Sequence, residues 1–135
     1  MTTKKIILAA LTASAFQYLF EGFWYIQFFQ GMSEANLGCI LRKDPILALN
    51  FLTELALSLI IVLALSYQKE ITILKGIKVG FIIGLLTGIN QVGGWYVNFN
   101  ITGVYFLTEL IKIILLGTGS GLIASLFGQT PKEKV

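Results

Sequence analysis

The sequence has no histidine, a single cysteine, two prolines and only 13% charged residues. Without histidine it lacks the commonest zinc ligand and the side chain that titrates nearest neutral pH. One cysteine, Cys39, excludes an intramolecular disulfide and any multi-cysteine metal site. There is also no Gly-rich phosphate loop, no metal-ligand cluster and no nucleophile paired with a base. Nothing therefore names a cofactor or a catalytic residue, and the chain reads as a non-enzyme before it reads as an enzyme.

What is present is apolar surface. Of 135 residues, 56% are hydrophobic, far more than one small soluble core could hide, so lipid is the expected solvent. Crossing about 30 Å of hydrocarbon takes roughly 20 helical residues. Four runs qualify: Ile6 to Phe29, Pro45 to Tyr67, Gly76 to Val97 and Thr102 to Phe127. The expected fold is thus all-α and integral to the membrane, a single four-helix domain over 1–135. Asp44 before Pro45 reads as an N-cap followed by proline at the first helical position, and Gly128 with Pro131 should end the last helix. Lys4-Lys5 and the small residues Ala13-Ser14-Ala15 mimic a signal peptide, but the apolar run continues to Phe29 and favours a span.

Basic residues near membrane ends are retained in the cytoplasm. Lys4, Lys5, Lys69, Lys75, Lys78, Lys132 and Lys134 fall on one side, and only Arg42 and Lys43 on the other. Both termini are therefore expected inside. The net charge of +3 follows from this topology and from anionic headgroups, and calls for no nucleic-acid partner.

Phe51-Leu52-Thr53-Glu54-Leu55 recurs letter for letter as Phe106-Leu107-Thr108-Glu109-Leu110. Trp24-Tyr25-Ile26-Gln27-Phe28 likewise resembles Trp95-Tyr96-Val97-Asn98-Phe99. Two matches in the same order suggest tandem parallel hairpins, one over about 6–67 and one over about 76–127, related by an axis along the membrane normal. Coincidence in an apolar alphabet is the competing explanation. The halves have diverged: Glu21 aligns with Val92, and Lys112 with Leu57.

The candidate site is a polar layer. At about 1.5 Å per residue, Glu21, Glu54 and Glu109 lie roughly 10 to 14 Å below the outer interface. Asn90 and Gln91 of the third helix reach a similar level, so every helix is expected to contribute. Helical spacing groups Ser14, Gln17 and Glu21 on one stripe, Asn50, Glu54 and Ser58 on another, and Tyr105, Glu109 and Lys112 on a third. Charged groups facing lipid cost at least about 2.5 kcal/mol each, so these should face one another or water. Three carboxylates and one ammonium in low dielectric cannot all stay charged, and at least one glutamate is expected to hold a proton. Lys112 should pair with Glu109, leaving Glu21 and Glu54 to share a proton, hold a cation or meet a ligand. The same side chains could equally serve as interhelical glue.

Gly76, Gly80, Gly84 and Gly88 strip one face of the third helix, for Gly117 and Gly121 of the fourth or for another subunit, with the first favoured. Trp24, Tyr25, Trp95, Tyr96 and Tyr105 suit an aromatic belt. Alternatively Trp24 and Trp95 wall the mouth of a pocket and stack on a cation. Asn100-Ile101-Thr102 matches a glycosylation sequon but abuts the membrane and carries little weight.

Trp24-Tyr25, followed by Phe28-Phe29 and Gly31, resembles a family of small bacterial four-helix membrane proteins of unknown function. The resemblance implies that layout and a bacterial inner membrane, and brings no activity. Three functions compete. The favoured one is binding or transport of a small molecule, proton or cation, with a homo-oligomer completing the path. An accessory or assembly subunit of a membrane complex comes next, and a membrane enzyme on a lipid substrate last.

Overall fold

A threonine immediately precedes three of the four helices. In the computed structural model, which describes residues 1–29 and 46–129, helix α1 spans Thr3–Trp24 behind Thr2, whose Oγ1 accepts from the Lys5 N–H at 3.5 Å. Helix α2 spans Leu47–Ser66 with no side-chain cap. Helix α3, Ile73–Asn98, starts behind Thr72, which accepts from the Lys75 N–H at 3.3 Å. Helix α4, Gly103–Gly128, starts behind Thr102, which accepts from the Tyr105 N–H at 3.2 Å. Each cap satisfies an amide that the first helical turn leaves without a carbonyl.

All four helices are long and apolar enough to cross a membrane, and the described residues form an all-helical membrane protein. Some boundaries differ from expectation. Helix α3 begins at Ile73 rather than Gly76, because Thr72 supplies the cap. Gly128 is the last helical residue of α4 rather than the stop after it. The first span ends in a π-helical turn, Tyr25–Phe29, entered where the Tyr25 N–H reaches both the Glu21 and the Gly22 carbonyls. Asp44-Pro45 at the expected start of α2, together with Cys39, Arg42, Lys43, Pro131, Lys132 and Lys134, lie outside the described residues.

Short connections after α2 and α3 make consecutive helices antiparallel neighbours. Helices α1, α2 and α4 pack mutually around Ala9, Ala10, Ile61, Val62, Leu65 and Ala124. Helix α3 stands outside this trio. It packs along α4, touches α2, and among the described residues makes no contact with α1. Its buried face is Gly76, Gly80, Gly84, Gly88 and Val92. A Cβ at Gly80 would overlap the Gly117 carbonyl, and one at Gly84 would lie 2.9 Å from the Ile113 carbonyl oxygen. The glycine stripe is therefore filled within the chain by α4. Lipid offers no hydrophobic drive between helices, so such backbone approach is what holds α3 in place.

Outward faces carry Leu19, Leu52, Ile60, Leu86, Leu107 and Leu126, each exposed. That pattern is a liability in water and ordinary for a surface bathed in lipid.

Candidate functional site

Six of the ten candidate residues converge where α1, α2 and α4 meet. The stripe Ala9, Ala10, Ala13, Ser14 and Gln17 lies fully buried, and its small side chains let α1 sit close to its neighbours. One turn further along the helix, this packing delivers Glu21 to the same interface. On α2, Glu54 and Ser58 are the buried polar pair, four residues apart. On α4, Glu109 and Lys112 are both buried.

Lys112 is the hub. Its Nζ lies 3.0 Å from Glu109 Oε2 on its own helix and 3.2 Å from Glu21 Oε1 on α1. Glu21 Oε2 accepts a second bond, from Asn50 Nδ2 of α2 at 3.1 Å. Glu54 lies one helical turn from Asn50 on the same face of α2, the helix that donates to Glu21. Gln17 closes the inner side. With its amide oriented to satisfy both ends, Nε2 donates to Glu54 Oε2 at 2.6 Å and to the Glu54 carbonyl at 3.0 Å, while Oε1 accepts from the Ser120 hydroxyl at 2.7 Å. Two polar groups, Glu109–Lys112–Glu21–Asn50 and Ser120–Gln17–Glu54, thus tie the three helices together.

Exposure across the first group is graded. The side chains of Glu109 and Lys112 are 6% and 11% exposed, that of Glu21 is 27% exposed, and Asn50 is exposed. This group is closed around α4 and opens between α1 and α2. Removing ions from water costs several kcal/mol each, and only close pairing of this kind offsets it.

The expected pairing of Lys112 with Glu109 is present, but Lys112 also holds Glu21, which was expected to share a proton, a cation or a ligand with Glu54. The reason is reach: the lysine stem is long enough to bridge from its own helix to the next. Asn90 and Gln91 do not join the layer. Both are exposed on α3, because the turn that would carry them inward is occupied by Gly88 and Val92 against α4. Depth alone therefore predicted a contribution from every helix that azimuth denies to α3.

Trp24 and Trp95 each pack against buried Ile101 and Tyr105 at the aromatic end of the bundle. The Trp24 indole N–H is buried and has no acceptor among the described residues, and the same holds for the Ser58 hydroxyl.

Sequence reasoning missed Ser120, the acceptor-donor that completes Gln17. It also missed an aromatic ladder on α1: Phe16 to Phe20 at 5.7 Å, Phe20 to Trp24 at 5.6 Å and Trp24 to Phe28 at 4.8 Å between ring centroids. A spacing of four was the available signal for the ladder. Phe16 also lies over Gly119 of α4, the site where a Cβ would strike its ring.

Among the described residues, no group of three or more acidic, cysteine or histidine side chains is placed to hold a metal ion. Comparisons with known protein families, with characterised proteins and with solved structures give no match.

Proposed function

We propose that this membrane protein binds a proton or a small cation at the carboxyl groups of Glu21 and Glu54, in a layer displaced toward the outer leaflet. The observation that carries the reading is that one lysine is already shared between Glu21 and Glu109, while Glu54 stands on the same α2 face as the Asn50 that binds Glu21 and has only amide donors from Gln17. Two acids at one interface with a single lysine between three carboxyls are neutralised by a shared proton or by a cation. Gln17 and Asn50 hold the two acids in place from either side. Trp24, one turn beyond Glu21, brings a buried N–H and, with Trp95, closes the aromatic end.

The remaining assignments belong to the same reading. Both termini face the cytoplasm of a bacterial inner membrane, on Lys4, Lys5, Lys69, Lys75 and Lys78, which among the described residues fall toward one set of helix ends. The two FLTEL segments descend from one hairpin, in keeping with Glu54 and Glu109 both entering the polar layer. Four helices are few for a complete transport path, and a homo-oligomer supplies the rest.

The test is the melting temperature of the purified protein across pH and across a panel of monovalent, divalent and organic cations. Wild type is compared with Glu21→Gln, Glu54→Gln and Glu109→Gln. A ligand of the folded state raises the melting point by mass action. The expected result is stabilisation by one cation class, or by a pH step, that disappears in Glu54→Gln and Glu21→Gln. Equal stabilisation of wild type and Glu54→Gln by every condition would sink the reading.

A second reading, an accessory subunit whose polar layer is packing glue, draws support from Gln17. All of its amide valences are spent inside the bundle, on Glu54 and Ser120. On that reading no condition stabilises wild type selectively, and each glutamine variant only shifts melting.

A further inference from the structure

We infer that the outward face of α3 around Asn90 and Gln91 is the contact surface for a second copy of this chain. Asn90 lies eight residues from the end of α3 at Asn98, about 12 Å inside the helix at 1.5 Å per residue. In the other direction twelve residues, about 18 Å, separate it from Lys78. Both amides therefore sit at hydrocarbon depth, both are exposed, and neither has a hydrogen-bond partner among the described residues. Gln17, the amide buried inside the bundle, has both its N–H bonds and its oxygen engaged. A primary amide left facing lipid tails has no solvent to pair with.

The face is shaped for close approach. Glycines at 93 and 94, one turn beyond Asn90, meet nothing within 4 Å of where a Cβ would be. They differ in this from Gly76, Gly80, Gly84 and Gly88, which are filled by α4. A neighbouring backbone can reach Asn90 across Gly94, four residues on, in the small-residue arrangement that serves helix pairs in membranes.

The occupant that fits is a second copy. An axis along the membrane normal sets equal residues at equal depth, so with the Asn90–Gly94 face turned to the axis Asn90 meets Asn90 and Gln91 flanks the contact. An amide carries both a donor and an acceptor and is its own complement. A carboxylate or an ammonium at this position would repel its twin.

The experiment uses the full chain reconstituted in lipid vesicles, with the monomer–dimer equilibrium followed by subunit counting as the protein-to-lipid ratio is varied. Wild type is expected to dimerise, and Asn90→Leu with Gln91→Leu to raise the dissociation constant on the order of tenfold or more. Gly94→Ile should do the same by bulk, and Asn90→Gln should retain the dimer. In a Cys39→Ser background, Gly94→Cys should form a disulfide between copies, whereas Ile60→Cys, exposed on α2, should not. The substituted positions on α2 and α3 are exposed or open, and unchanged monomer melting confirms that each variant folds. Wild type that stays monomeric at every ratio overturns the inference. So does a dimer indifferent to the Asn90 and Gln91 changes, one linked through Ile60→Cys, or a different protein found seated on this face. Cation-dependent melting at Glu54 is read separately and can succeed or fail without it.

Discussion

The interface of α4 with α3 and its interface with α1 hold helices together by different means. Toward α3, α4 presents Gly117 and Gly121, and backbone meets backbone. Toward α1 it presents Lys112, Gly119 and Ser120, where an ion pair, a ring over a glycine and a hydroxyl on an amide make the contact. Lipid tails are as apolar as leucine, so neither interface can rely on excluding water. One uses close fit, which tolerates no added atom. The other uses polar complementarity, which tolerates no missing partner. The difference also separates roles: the glycine seam has no chemistry to offer, and all the ionisable groups within the bundle fall on the polar side.

Breaking the polar side at its hub should have the largest effect. Lys112→Met leaves buried Glu109 and half-buried Glu21 together without a cation, and a loss of about 3–5 kcal/mol is expected for removing one partner of the buried Lys112–Glu109 pair. Adding Glu109→Leu should return part of that loss, measured by reversible unfolding in detergent with increasing denaturant. If the double variant is no more stable than Lys112→Met alone, the two residues are not acting as a pair.

The seam comes next. Gly80→Val drives a side chain into the Gly117 carbonyl. It should cost about 1–3 kcal/mol, the usual penalty of overpacking, and loosen α3 from α4. Gly93→Ala, where a Cβ meets open space, should be nearly neutral in the monomer. Accelerated proteolysis of the connection between α2 and α3 in Gly80→Val but not in Gly93→Ala would tie the effect to the seam.

Smaller again is Gln17→Leu, which strips Glu54 and Ser120 of a shared partner. Hydrogen bonds between membrane helices average about 0.6 and reach about 1.7 kcal/mol, and the melting shift should fall in that range. Ser58→Ala should be neutral or slightly stabilising, because its buried hydroxyl has no partner among the described residues to lose. A marked loss from Ser58→Ala would instead reveal a water bound there, extending the polar network toward the lysine end.

Much of the fold was legible because membrane thickness is an external ruler. A run such as Thr102 to Phe127 has to be a helix of about that length in lipid. The glycine stripe of α3 was equally legible, since a fourfold spacing already places Gly76, Gly80, Gly84 and Gly88 on one side. The acids of the candidate site could be picked out for a similar reason: an ionisable residue in an apolar run is conspicuous and costly.

By itself, then, the sequence determined the four apolar spans and the face each residue shares with its own helix. Only the tertiary structure decided which faces meet. Helical periodicity fixes angles within one helix and says nothing about how that helix is rotated against its neighbours. Docking of the α3 glycines on α4 turned Asn90 and Gln91 outward, and the close seat of α1 on α4 put Glu21 within reach of Lys112. Those rotations are set by side-chain volumes on two helices at once, and so they exist only after packing.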